Sequence, residues 1–167
     1  MYASTFQKGG FSVQVSSNQR VQWLIRALCV LGIFVSGYLT WTHLADSDPY
    51  CGASHSCADV QNSPYSEVAG IPVSIIGLTG YVVLLALSLL RGRADPEIDF
   101  YLPVLSFGVA LIGVLYSAYL TYLEAVVIQA WCYWCVASAI IITAIWVLTI
   151  YDLLQAWTAE EGSYGPS

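Results

Sequence analysis

Charge is what this chain has least of. Asp, Glu, Lys and Arg make up 10% of its 167 residues, where a soluble globular domain carries about a quarter. That deficit excludes an ordinary soluble enzyme. Basic residues number only five and the net charge is −6. No surface is left to follow a phosphate backbone, which argues against a nucleic-acid partner. From Ala125 to Tyr151 there is no charge at all. The first apolar run is too long for a signal-peptide core and is followed by no small-residue cleavage site, so it reads as a helix that stays. Length is also short: one compact membrane domain accounts for the chain, with no attached soluble domain expected.

What is present is apolar residues, 57% of the total, gathered into four runs. The spacing predicts spans at about 21–44, 71–90, 100–123 and 131–151. The second, twenty uncharged residues from Ile71 to Leu90, matches the ~30 Å of a hydrocarbon core at about 1.5 Å per residue. Arg26 is the one formal charge in the first run and lies near enough to its end to snorkel. Residues 1–19 and 156–167 read as polar tails around a membrane domain at 20–155. Residues 45–70 form a polar loop.

All five basic residues fall on one side of this four-span topology. Lys8, Arg20 and Arg26 flank the start of the first span, and Arg91 and Arg93 lie between the second and third. The positive-inside rule makes that side cytoplasmic, together with both termini. The 45–70 loop and the corner at 124–132 then face outward. Cys51, Cys57, Cys132 and Cys135 come to share the oxidising compartment, where disulfides persist.

Cys132-Tyr-Trp-Cys135 opens the fourth run. Two cysteines about one helical turn apart can alternate between dithiol and disulfide. Unpaired N–H groups at a helix N-terminus favour a thiolate there. A three-residue loop closes little chain entropy, so this bond suits exchange better than stapling. Beside lipid, such a pair can pass electrons to a lipid-soluble carrier. A structural disulfide, or a metal site completed by Cys51 and Cys57, are the other readings. Cys51 and Cys57, separated by small residues, read either as a pin for the loop or as a second exchangeable pair; their company on one side favours exchange.

The remaining polar residues carry weaker signals. Cys29, inside the first span, reads as a small apolar residue. His43 and His55 are interfacial, or assist proton movement near the thiols. Glu124, an ionisable residue in a long apolar stretch, is a functional candidate or simply hydrated. Trp131, Tyr133 and Trp134 either wall a pocket or belong to an interfacial belt.

Taken in order, these features resemble the vitamin K epoxide reductase family, in particular its prokaryotic homologues. The resemblance runs over about residues 22–152. It is carried by the four spans, Cys51-x5-Cys57, Ser63 six residues on, Gly70-Ile-Pro-Val-Ser-Ile-Ile-Gly77 and Cys132-Tyr-Trp-Cys135. It implies an all-α membrane protein, a bundle of four transmembrane helices around a quinone (of ubiquinone, menaquinone or phylloquinone type), capped by the extracytoplasmic loop. The location implied is a bacterial or archaeal plasma membrane. The sulfur matching Cys135 would face the quinone, and that matching Cys132 would exchange with a loop cysteine. Ser63, Val73, Ile76 and Ala139 would line the pocket, with no metal. Electrons would come from a separate DsbA-like or thioredoxin-like protein through Cys51 and Cys57, supporting disulfide formation in exported proteins. Animal members have Asn where Val73 stands and Tyr where Ala139 stands, so plain quinone reduction is expected over epoxide reduction. The alternative from another class is a non-enzymatic membrane scaffold held by structural disulfides.

Overall fold

The structure, a computed structural model, describes residues 19–45, 47–51, 56–91, 93 and 96–161. Lys8, His55, residues 1–18 of the first expected tail and 162–167 of the second lie outside these. In chain order the elements are α1 (Gln19–Leu44), α2 (Ser56–Gln61), β1 (Glu67–Val68), β2 (Ile71–Pro72), α3 (Val73–Leu90), α4 (Pro96–Tyr122), a π-helical turn (Leu123–Ile128) and α5 (Tyr133–Glu161). Lipid offers no partner to a free N–H or C=O, so apolar runs close their own backbone bonds as helices. Four helices are long and apolar enough to cross a membrane.

These four make a closed ring. α1 packs against α3 and α5, and α4 packs against the same two. The core joins Ile25 and Cys29 of α1, Tyr81 and Leu84 of α3, Ala110 of α4, and Ile142 and Ile145 of α5. Trp23, Phe34, Leu115 and Ile140 stay exposed on the outer faces; lipid replaces water as the solvent for such a surface. At Gly32 α1 lies so close to α3 that a Cβ would overlap the Tyr81 ring. That ring is fixed from the other side, because its hydroxyl donates to the Ser138 carbonyl at 2.9 Å.

Two boundaries lie away from where the sequence predicts them, and a polar pair explains one. Inside α1, Arg26 is held by α3. Its Nε donates to Ser88 Oγ at 3.2 Å and its Nη2 to the Ser88 carbonyl at 2.8 Å, one of the last carbonyls of α3, which lack helical partners. α5 does not stop at Tyr151. Asp152 pairs with Arg91 at 3.0 Å, both side chains nearly fully buried, so its charge interrupts nothing and the helix runs on to Glu161. The third helix begins at Pro96, at a first helical position where proline loses no bond, and passes into the π turn at Leu123.

The segment between α1 and α3 covers one end of the ring. α2 is pinned to the last turn of α1 by Gln61 Nε2, which donates to the Leu39 carbonyl at 2.9 Å. β1 and β2 pair antiparallel, Glu67 opposite Pro72 and Val68 opposite Ile71. Their turn puts both Ala69 (φ 54) and Gly70 (φ 79) at positive φ, the arrangement of a tight hairpin. The chain is thereby folded back directly into α3.

Substituting Gly32→Ala should destabilise the protein by about 1–3 kcal/mol, the usual cost of overpacking a tight contact. Gly37→Ala, where nothing lies within 4 Å of the new methyl, should be neutral or stabilising. Thermal unfolding of the detergent-solubilised variants separates the two.

Candidate active site

The head of α5 is built around Cys132. Val136 N–H donates to the Cys132 carbonyl at 3.0 Å, so Cys132 stands at the N-cap and Cys135 at the third helical position. Cys135 N–H donates to Cys132 Sγ at 3.3 Å. The sulfur fills the place that a Ser or Asp oxygen takes in other helices. It is fully buried.

Upstream, the Cys132 N–H needs an acceptor, and Glu124 provides it. Glu124 Oε2 accepts that N–H at 3.2 Å from a side chain only 3% exposed. Its carbonyl also collects the N–H groups of Gln129 and Ala130. The π turn widens the end of α4, and Gln129, at φ 56 and ψ 31, closes it in the left-handed region. The Glu124 carboxylate, Cys132 Sγ and Cys135 Sγ therefore lie within 4.8 Å of one another. Three donors are one short of a closed tetrahedral metal shell.

The Cys132 thiol ionises below its ordinary value. The largest cause is the hydrogen bond from the Cys135 side chain, joined by those from the Cys135 and Trp134 backbone; burial and the nearby Glu124 charge oppose it. Hydrogen bonding to the charged form wins.

Cys51 and Cys57 are joined as a disulfide. Cys57 is fully buried on α2, which packs on the π turn leading to Cys132. Two aromatic residues hold the chain beside Cys51. Trp134 Nε1 donates to the Tyr50 carbonyl at 2.9 Å, Tyr50 N–H donates to Tyr38 Oη at 2.9 Å, and the two rings lie 4.9 Å apart.

Below this cap is a cavity of about 380 Å³, within the range of small-molecule sites. Cys135, Ser63, Val73 and Ile76 line it, as do His43 of α1 and Glu124. Ser63 Oγ donates back to the Val60 carbonyl at 2.7 Å. Ala139 is not on this wall. One residue turns a helix by about 100°, and Ser138 and Ile142 present that face instead. Cys132 lies behind Cys135, off the lining. His43 Nε2 sits 3.3 Å from Glu67 Oε1. Tyr116, not singled out from sequence, lines the cavity and its buried hydroxyl has no partner among the described residues. Its signal was hidden among twelve tyrosines.

A model of the vitamin K epoxide reductase family matches residues 23–150. The chain is 30% identical over 125 residues to the thiol-disulfide oxidoreductase LTO1 of Arabidopsis thaliana. That alignment covers 71% of this chain and 33% of the relative, so the chain spans about a third of that protein's length.

In the reduced protein, thiolate absorbance should appear at a lower pH than for an ordinary cysteine and vanish in Cys132→Ser. In Cys135→Ala the S–H donor is gone and the transition should move to higher pH. An ultraviolet pH titration checks both shifts.

Proposed function

This chain belongs to the vitamin K epoxide reductase family, and from that membership we propose that it is a membrane thiol oxidoreductase delivering electrons to a quinone. One observation carries the reading: Cys135 lines a largely apolar cavity while its partner sulfur, Cys132, is buried off that lining, and α2, which carries Cys57, packs on the turn leading to it. A quinone supplies a membrane-soluble sink for two electrons and two protons. The cavity suits such a ring, with apolar walls from Val73, Ile76 and Ile142 and polar groups at Ser63 and Tyr116. Val73 offers no amide there, which favours plain quinone reduction over epoxide reduction.

Electrons enter from a thioredoxin-fold protein that reduces the Cys51–Cys57 disulfide. Cys57 passes them to Cys132, whose readily ionised sulfur is suited to exchange. Cys135 delivers them into the cavity. The basic residues gather at the end opposite the cysteines, so the cysteines are assigned to the extracytoplasmic side and the termini to the cytoplasm. Disulfide formation in exported proteins is the net result. Tyr116 donates its otherwise unpartnered hydroxyl to a quinone oxygen and so holds the ring in place.

Purified protein with a reduced thioredoxin-fold donor should bleach quinone absorbance. Cys135→Ala should bring that rate to background while the donor still reduces Cys51–Cys57; an undiminished rate removes Cys135 from its assigned role.

Tyr116→Phe should weaken quinone binding by about 0.5–1.5 kcal/mol, the net worth of one hydrogen bond. The measurement is the KM for quinone, with the maximal rate changed less.

A further inference from the structure

Glu124 has no role in that relay, yet it is buried against both sulfurs of the helix pair. It belongs to neither of the ion pairs described above. A carboxylate buried without a cation is expensive. The bond it receives from Cys132 N–H does not require that charge, since an amide or hydroxyl oxygen would cap as well. The backbone is also shaped to deliver it: α4 gives up α-helical geometry at Leu123–Ile128, and π turns of this kind recur at functional sites. Finally, Cys135 Sγ lies within 4.8 Å of both the Cys132 sulfur and a Glu124 carboxylate oxygen. Its thiol thus has a base at hand on one side and its disulfide partner on the other.

We propose that Glu124 is a catalytic residue, the acceptor of the Cys135 thiol proton as the helix pair gives up its electrons. The proposal rests on the quinone-reducing reading above. In the step, the Cys135 S–H bond breaks and its proton passes to Glu124. The Cys132 proton is released to bulk water. A bond forms between Cys132 Sγ and Cys135 Sγ, and the two thiols together lose two electrons. Those electrons end on a lipid-phase quinone, which becomes the hydroquinone with two protons, one from Glu124 and one from water. Glu124 finishes as the carboxylate it was at the start.

Glu124→Gln keeps an oxygen for the Cys132 N–H but cannot hold the proton. In the detergent-solubilised full chain with a reduced thioredoxin-fold donor, quinone turnover is expected to fall about 100-fold or more. Iodoacetamide labelling of the reduced pair, mapped by mass spectrometry, is expected to rise about two- to tenfold, because an anion no longer opposes thiolate formation beside it. Glu124 acting only as a cap would leave both readings unchanged, and Glu124 acting only by repulsion would raise both. Either result overturns the proposal. If the Gln variant does not fold, Glu124→Asp keeps the charge one methylene short of the sulfur and should lower turnover; full wild-type turnover in it also overturns the proposal. Wild-type protein that reduces no quinone defeats the functional reading instead. Labelling then stands as the separate readout, and an unchanged rate in Glu124→Gln defeats the proton role as well.

Discussion

The first turn of α5 leaves backbone N–H groups without helical partners, and Cys132 is the residue that answers them. Its sulfur accepts from the Cys135 N–H, which fixes that side chain over the helix end. Cys135, one turn further, is left facing the cavity. Cys132 then has an N–H of its own to satisfy in an apolar corner. Glu124 can reach it only because α4 ends in a widened turn. Capping, redox chemistry and the α4–α5 corner therefore share one small set of atoms. A change to any of them is felt by the rest.

At the other end of the ring the polar groups have a different task. Arg91 closes α3 and Asp152 lies seventeen positions beyond Cys135 on α5, some 25 Å along the helix at about 1.5 Å per residue. Their buried pair ties together the two helices that carry Val73 and Cys135 on the cavity wall. Removing one partner of such a pair typically costs about 3–5 kcal/mol, because the other charge is left buried alone. Arg26 and Gln22 add a second polar tie through Ser88. The walls of the cavity are thus registered from the end where no chemistry takes place.

Much of this was legible in the sequence. Four long apolar runs close as helices in lipid, and Cys132-x-x-Cys135 at the start of one of them marked the head of α5. What escaped depended on contacts between distant residues. Asp152 looks like a helix stop until Arg91 is found beside it. Arg26 looks like a snorkelling side chain until Ser88 is seen within reach. The π turn leaves no compositional trace, so Glu124 was noticed as an oddity without its partner being identifiable. Ala139 failed on rotation: the choice between 138 and 139 on a cavity wall is decided by helix packing, and an almost uniformly apolar helix carries little phase information.

Trp134 sits between the two cysteines of the helix pair, and its indole holds the carbonyl of Tyr50, the neighbour of Cys51. In a soluble Cys-x-x-Cys protein the intervening residues belong to one couple alone. Here one of them is a strut to the other couple, reinforced by Tyr38 on the Tyr50 N–H. The two dithiols are therefore mechanically joined through a single peptide unit. Any shift of the cap at Cys51 must pull on the turn that sets the Cys132 sulfur, so the state of one pair and the surroundings of the other need not be independent quantities.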